Sequence, residues 1–179
     1  NQMIYEFCAE NVTLLEKAMQ AGARRIELCD NLAVGGTTPS YGVTKAAVEL
    51  AANYDSTIMT MIRPRGGDFV YNDLEIAIML EDIRLTAQAG SQGVVFGALT
   101  ADKKLDKVNL EKLIAASKGM EIVFHMAFDE LSDEEQLEAI DWLSQVGVTR
   151  ILTRAGASGD SLEKRFAHYH RILEHAAGK

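Results

Sequence analysis

Three observations predict a parallel α/β fold of the (β/α) TIM-like barrel type. Short apolar runs rich in Val, Ile, Phe and Met alternate with longer stretches of helical period, and six such units fit in the 179 residues. A glycine step recurs just before a strand, at Gly22, Gly90 and Gly147. No G-x-G-x-x-G follows the first strand, which weakens the competing open dinucleotide-binding sheet.

The first predicted strand is "MIYEFCA", residues 3 to 9. In the following "NVTLLEKAMQAGA", Asn11 is positioned to cap a helix, Leu14, Leu15, Ala18 and Met19 form its apolar stripe, and Gly22 ends it. The second strand, "RIELCD" (25 to 30), leads into the pair Gly35–Gly36. The third, "TIMTMIR" (57 to 63), runs into "IRPRGGDFVY", where a proline stops the ladder and two glycines follow two arginines. A helix in "NDLEIAIMLEDIRLTAQAG" begins at Asn72 or Asp73 and stops at Gly90. "GVVFGAL" (93 to 99) and "EIVFHMAF" (121 to 128) are the fourth and fifth strands. Ser132 and Glu135 read as a capping box at the head of the next helix, closed by Gly147. "RILTR" (150 to 154) is the sixth strand, followed by a last helix.

With no linker or low-complexity segment, residues 1–179 read as one barrel domain. A closed eight-unit barrel takes about 250 residues. The C-terminal units are therefore expected to be missing, and the chain to be part of a longer protein with unpaired strands at its two ends.

Composition narrows the partners. The chain is 47% hydrophobic and 25% charged, with a net charge of −8, which argues against nucleic acid and anionic membranes because phosphates would be repelled. No run approaches the roughly 18 apolar residues of a membrane helix, and "NQMIYEFCAE" lacks a basic segment followed by an apolar core. The reading is cytoplasmic, with homo-oligomers left open. Two cysteines are too few for a disulfide framework, so free thiols in a reducing compartment are expected.

In such folds the working groups gather beyond the C-terminal ends of the strands. Those ends offer Glu6, Cys8 and Glu10; Glu27, Cys29 and Asp30; Arg63 and Arg65; His125 and Asp129; Thr153 and Arg154. The repeated "E-F-C" and "E-L-C" put Glu6 with Cys8 on one face of a strand and Glu27 with Cys29 on one face of the next. Two thiols on neighbouring strands suit a soft monovalent ion such as Cu(I), but they also suit two core cysteines, and barrel stagger works against the pair. Met59 and Met61 read as core filler.

Arg63 and Arg65, with backbone N–H groups of Gly66 and Gly67, are candidates to clamp an anion, while the plain reading of that loop is a salt bridge between Arg65 and Asp68. His125 fits a general base, a metal ligand or a structural histidine equally well. No H-E-x-x-H or C-x-x-C marks a zinc site, and no lysine falls on a predicted strand to support Schiff-base chemistry.

Taken together, "RIELCDNLAVGGTTPSYG", "MIRPRGGDFVYNDLE", "GVVFGALTADKKLD", "FHMAFD" and "ILTRAGA" resemble the CutC copper homeostasis proteins. The resemblance implies a cytoplasmic (β/α)-barrel whose mouth carries Glu6, Glu27, Arg63, Arg65, His125 and Asp129. It also implies a Cu(I)-binding role for Cys8 and Cys29, with copper as cofactor or partner. Two positions depart from the family pattern: Met126 stands where arginine is usual, and Arg154–Ala155 replaces an "LTSGG"-like turn. The leading expectation is a copper homeostasis protein that binds Cu(I) for trafficking or buffering. The alternative is a barrel enzyme for a small anionic or phosphorylated metabolite, with Arg63 and Arg65 holding the anion and Glu27, His125 and Asp129 as its catalytic groups.

Overall fold

The computed structural model describes residues 2–156 and 159–179. Its elements alternate strictly: β1 (Glu6–Glu10), α1 (Leu15–Gln20), β2 (Arg25–Cys29), α2 (Tyr41–Ala52), β3 (Thr57–Met61), α3 (Asp73–Gln88), β4 (Gly93–Phe96), α4 (Lys107–Ala116), β5 (Glu121–Phe124), α5 (Asp133–Gln145), β6 (Arg150–Ile151) and α6 (Leu162–Ala176). The six strands form one parallel sheet in sequence order, curled into half a barrel, with β1 and β6 at its edges. The predicted architecture is the observed one.

The period of two sorts each strand between two layers. Ile26, Leu28 and Ile58 point outward against Leu15, Met19 and Ala47, and Val94, Phe96, Ile122 and Phe124 pack against Ile76, Met79 and Ile83. The alternate residues face the concave side, where Cys29, Met59, Met61, Val95 and Val123 form a separate buried cluster with Leu152 against it. The site is built on this inner face.

The helix stops are those of the sequence: Gly22, Gly90 and Gly147 all have φ near +90 to +105°, a region open to glycine. Asn72 forms a full capping box with Glu75, and Ser132 accepts from the Glu135 N–H. Asn11 does not cap α1; its Oδ1 turns back to the Val12 N–H, and the helix starts after Leu14 in a left-handed conformation.

All six strands are shorter than expected, β5 and β4 by four and three residues and β6 by three. β5 stops at Phe124 because the His125 ring accepts from the Ala127 N–H and starts a 3-10 turn at Met126–Glu130. β6 stops at Ile151 because Thr153 and Arg154 are drawn to Asp129. Among the described residues no helix is long and apolar enough to cross a membrane.

Candidate functional site

A cavity of about 830 Å³ opens at the C-terminal ends of the strands. Its wall includes Cys8, Glu27, Arg63, His125, Asp129 and Arg154. β1 and β2 pair with Cys8 opposite Glu27 and Glu10 opposite Cys29. This register and the period of two bring both thiols and one carboxylate to the same face. One donor atom from each of Cys8, Glu27 and Cys29 lies within 4.8 Å of the others, so the stagger does not separate the pair. Cys29 Sγ donates to Glu27 Oε1 at 3.7 Å.

The three groups tune one another. Cys8 is exposed and its thiol pKa is lowered, first by a hydrogen bond from Cys29 and against the pull of burial, Glu27 and Glu6. Cys29 is buried and pushed far up, first by that same bond, then by burial and the Glu27 charge. The first proton therefore leaves Cys8, and the single Cys29 S–H then turns from Glu27 to the Cys8 thiolate. Burial, and then the charge of Glu6, raises the Glu27 carboxyl. Two thiols, one carboxylate and the thioethers of Met59 and Met61 close by make a soft donor set, which suits a thiophilic cation.

Glu6 belongs elsewhere. It is the first residue of β1, at the opposite end of the strand from the mouth, and it pairs with Arg25 at 3.5 Å. It reaches the thiols only through its charge.

The arginine loop separates into two roles. Arg65 does not line the cavity; its guanidinium is engaged by Glu75, by Asp68 at 3.1 Å and by the carbonyl of Val70 at 2.8 Å. The salt-bridge reading of that loop describes Arg65 well. Arg63 is 5% exposed and donates to three carbonyls: Val34 at 2.7 Å, Gly36 at 3.0 Å and Gly67 at 2.8 Å. Gly66 likewise turns its carbonyl to Arg65. The glycine turn thus offers its carbonyls as acceptors to the two arginines.

Gly35 and Gly36, with φ of +93 and +95°, let the backbone press into the site. A Cβ on Gly35 would lie 3.3 Å from Arg63 Nη1, and one on Gly36 would lie 3.0 Å from Cys29 Sγ.

His125 is buried against Gly97, with its ring 4.8 Å from that of Phe69. Its Nδ1 accepts from Ala127, so the neutral ring carries its proton on Nε2, and that N–H has no partner among the described residues. Burial, and secondly the Arg63 charge, depress its pKa to about 3. At neutral pH it is a donor. Asp129 is tied at both oxygens, by Thr153 Oγ1 and the Arg154 N–H, and so organises the turn after β6.

The sequence reading gave Arg154 no role beyond its strand end. Its Nε lies 3.2 Å from Met126 Sδ, so the two positions that depart from the family pattern touch. His168 and His170 do stand at H-x-H spacing, where the sequence reading expected no zinc-type spacing at all. Two residues apart on α6, one ring is buried against Gln136 and the other is exposed, so they form no pair.

A model of the CutC family matches residues 3–179. The family protein CutC of Enterococcus faecalis is 52% identical over 174 residues, covering 97% of this chain and 83% of that protein. The human copper homeostasis protein cutC homolog is 40% identical over 179 residues, and the chain spans 63% of its length. The crystal structure of the Streptococcus agalactiae copper homeostasis protein CutC superposes with a TM-score of 0.94 at 44% identity, covering 99% of this chain and 84% of that one. An archaeal fructose 1,6-bisphosphate aldolase, at 16% identity and a TM-score of 0.62 over 92% of this chain and 62% of that one, shares the fold alone.

Proposed function

The chain belongs to the CutC family, and from that premise we propose that it serves copper homeostasis by holding monovalent copper between Cys8 and Cys29. The observation that carries this reading is the convergence of two thiols and the Glu27 carboxylate within 4.8 Å on the concave face. A d10 ion such as Cu(I) favours thiolate ligands in few-coordinate sites and imposes little angular demand. Cys8 is exposed at the cavity and gives up its proton first, so it is the entry ligand; Cys29 follows when the metal displaces its proton. Glu27 is the third donor within reach and closes the coordination. A cytoplasmic setting keeps both thiols reduced, and trafficking or buffering are the roles such a half-exposed site suits.

The test is a titration of the reduced protein with Cu(I) against a competing chelator. The double variant Cys8→Ser, Cys29→Ser is expected to lose more than about a hundredfold in affinity, equivalent to ~2.7 kcal/mol. Unchanged affinity in that variant overturns the thiol site.

A further inference from the structure

We propose that Arg63 and His125 form an oxyanion site in the same cavity, made for the phosphoryl or carboxylate group of a small metabolite. The argument begins with an unbalanced charge. Arg63 is 95% buried by its 5% exposure, yet among the described residues it pairs with no carboxylate. A buried guanidinium is costly unless its charge and donors are met. Three carbonyls from two loops and the face of Phe69, 5.1 Å from Cζ, hold the group in place. They supply partial charges only; the Nε–H is left without an acceptor in hydrogen-bond geometry, and the neutral Tyr71 hydroxyl beside the guanidinium, itself buried without a partner, brings no counter-charge.

The second donor stands beside it. His125 also packs against the Phe69 ring, with centroids 4.8 Å apart, and carries an Nε2–H that is buried and unpartnered among the described residues. Two orphaned N–H donors and one uncompensated cation therefore meet at one aromatic side chain on the wall of an 830 Å³ cavity. Of the carboxylates on the cavity wall, Asp129 is held by Thr153 and Arg154 and Glu27 accepts from Cys29, and among the described residues neither they nor Glu130 pair with Arg63. A structural arginine would have exhausted its donors or taken one of these carboxylates. An oxyanion supplies the missing negative charge and accepts both hydrogen bonds, and a neutral imidazole donates to it without adding a proton to the balance.

This inference does not rest on copper. Its failure leaves Cu(I) affinity untouched, and loss of the thiol site leaves the anion site in place.

The experiment follows the side-chain Nε–H of Arg63 and Nε2–H of His125 by NMR in 15N-labelled protein. Inorganic phosphate and malonate are titrated separately to millimolar concentration in a sulfonate buffer. The expected result is a saturable shift of both signals with at least one probe. Phosphate alone identifies a phosphoryl ligand, malonate alone a carboxylate. His125→Asn keeps an acceptor for the Ala127 N–H and removes the Nε2 donor, so affinity should drop about tenfold or more. Absence of a saturable shift at both groups in the wild type overturns the proposal, whatever the variant does. Shifts of equal midpoint in wild type and variant mean an adventitious ion only, and overturn it as well.

Discussion

Lowering the pH from about 7 to about 5 should destabilise the protein by ~2 kcal/mol through His125 alone. The folded ring is held at a pKa of about 3, by burial first and by Arg63 second, against an ordinary value of 6.5. Between those values the unfolded chain binds a proton that the folded chain refuses. A base with a depressed folded pKa gives stability that is full above 6.5 and is lost as pH falls toward 3. From 6.5 to 5 is 1.5 units at about 1.36 kcal/mol each, which gives the ~2 kcal/mol. Because pH 5 lies well above the folded value, the folded ring stays neutral over the whole interval. Urea unfolding at the two pH values, in buffer free of phosphate and carboxylates, measures it. Carboxylates also titrate in this range, so the reference is His125→Asn, which keeps the bond to Ala127 and cannot titrate. Wild type should lose ~2 kcal/mol more than the variant. Equal losses would mean that the buried ring accepts its proton in place, and the neutral-donor argument would fall.

Substitution at Gly36 should damage both halves of the site. Alanine there must hold φ +95° with its Cβ 3.0 Å from Cys29 Sγ, so a loss of about 2–4 kcal/mol in urea unfolding and weaker Cu(I) binding are expected; a change below about 0.5 kcal/mol would contradict the packing. Gly97→Ala puts a Cβ 2.6 Å from His125 Cε1 and 2.9 Å from Nδ1. It should cost about 1–3 kcal/mol and displace the Nε2–H signal, with Cu(I) affinity unaffected. Arg154→Ser should weaken phosphate or malonate binding only a few-fold, because the side chain is exposed and screened. Adding Met126→Arg to it should restore the affinity; no recovery would show that the two positions do not share one charge.

The alternation of apolar runs and helical stripes made the sheet legible because a parallel strand buried on both faces must be apolar throughout, as "TIMTM" and "GVVF" are. Strand ends were less legible. Nothing in "FHMAF" announces that His125 will accept from Ala127 and end β5 four residues early, since that bond exists only once the ring is packed on Gly97. "MIY" reads as strand because it is apolar, yet Met3, Ile4 and Tyr5 are exposed and lie outside β1. The thiol corner was half visible: side-chain alternation put each cysteine with a glutamate, but only the register of Cys8 against Glu27 decides that the two strands present them to one point.

The two arginines of "IRPRGG" show why residue type alone does not assign a role. Arg63 stands three positions before the glycine pair and Arg65 directly before it, and both are suited to an anion in sequence. Arg65 finds Glu75 and Asp68 within reach and is neutralised at the rim. Arg63, the first residue of that motif beyond Ile62, is carried inward and finds only carbonyls. Burial without a counter-ion makes the second a site and pairing makes the first a brace. Place in space matters in the same way for Met126 and Arg154: 28 residues apart in sequence, they meet at the mouth, with Arg154 Nε 3.2 Å from Met126 Sδ, and the double variant tests whether they share one charge.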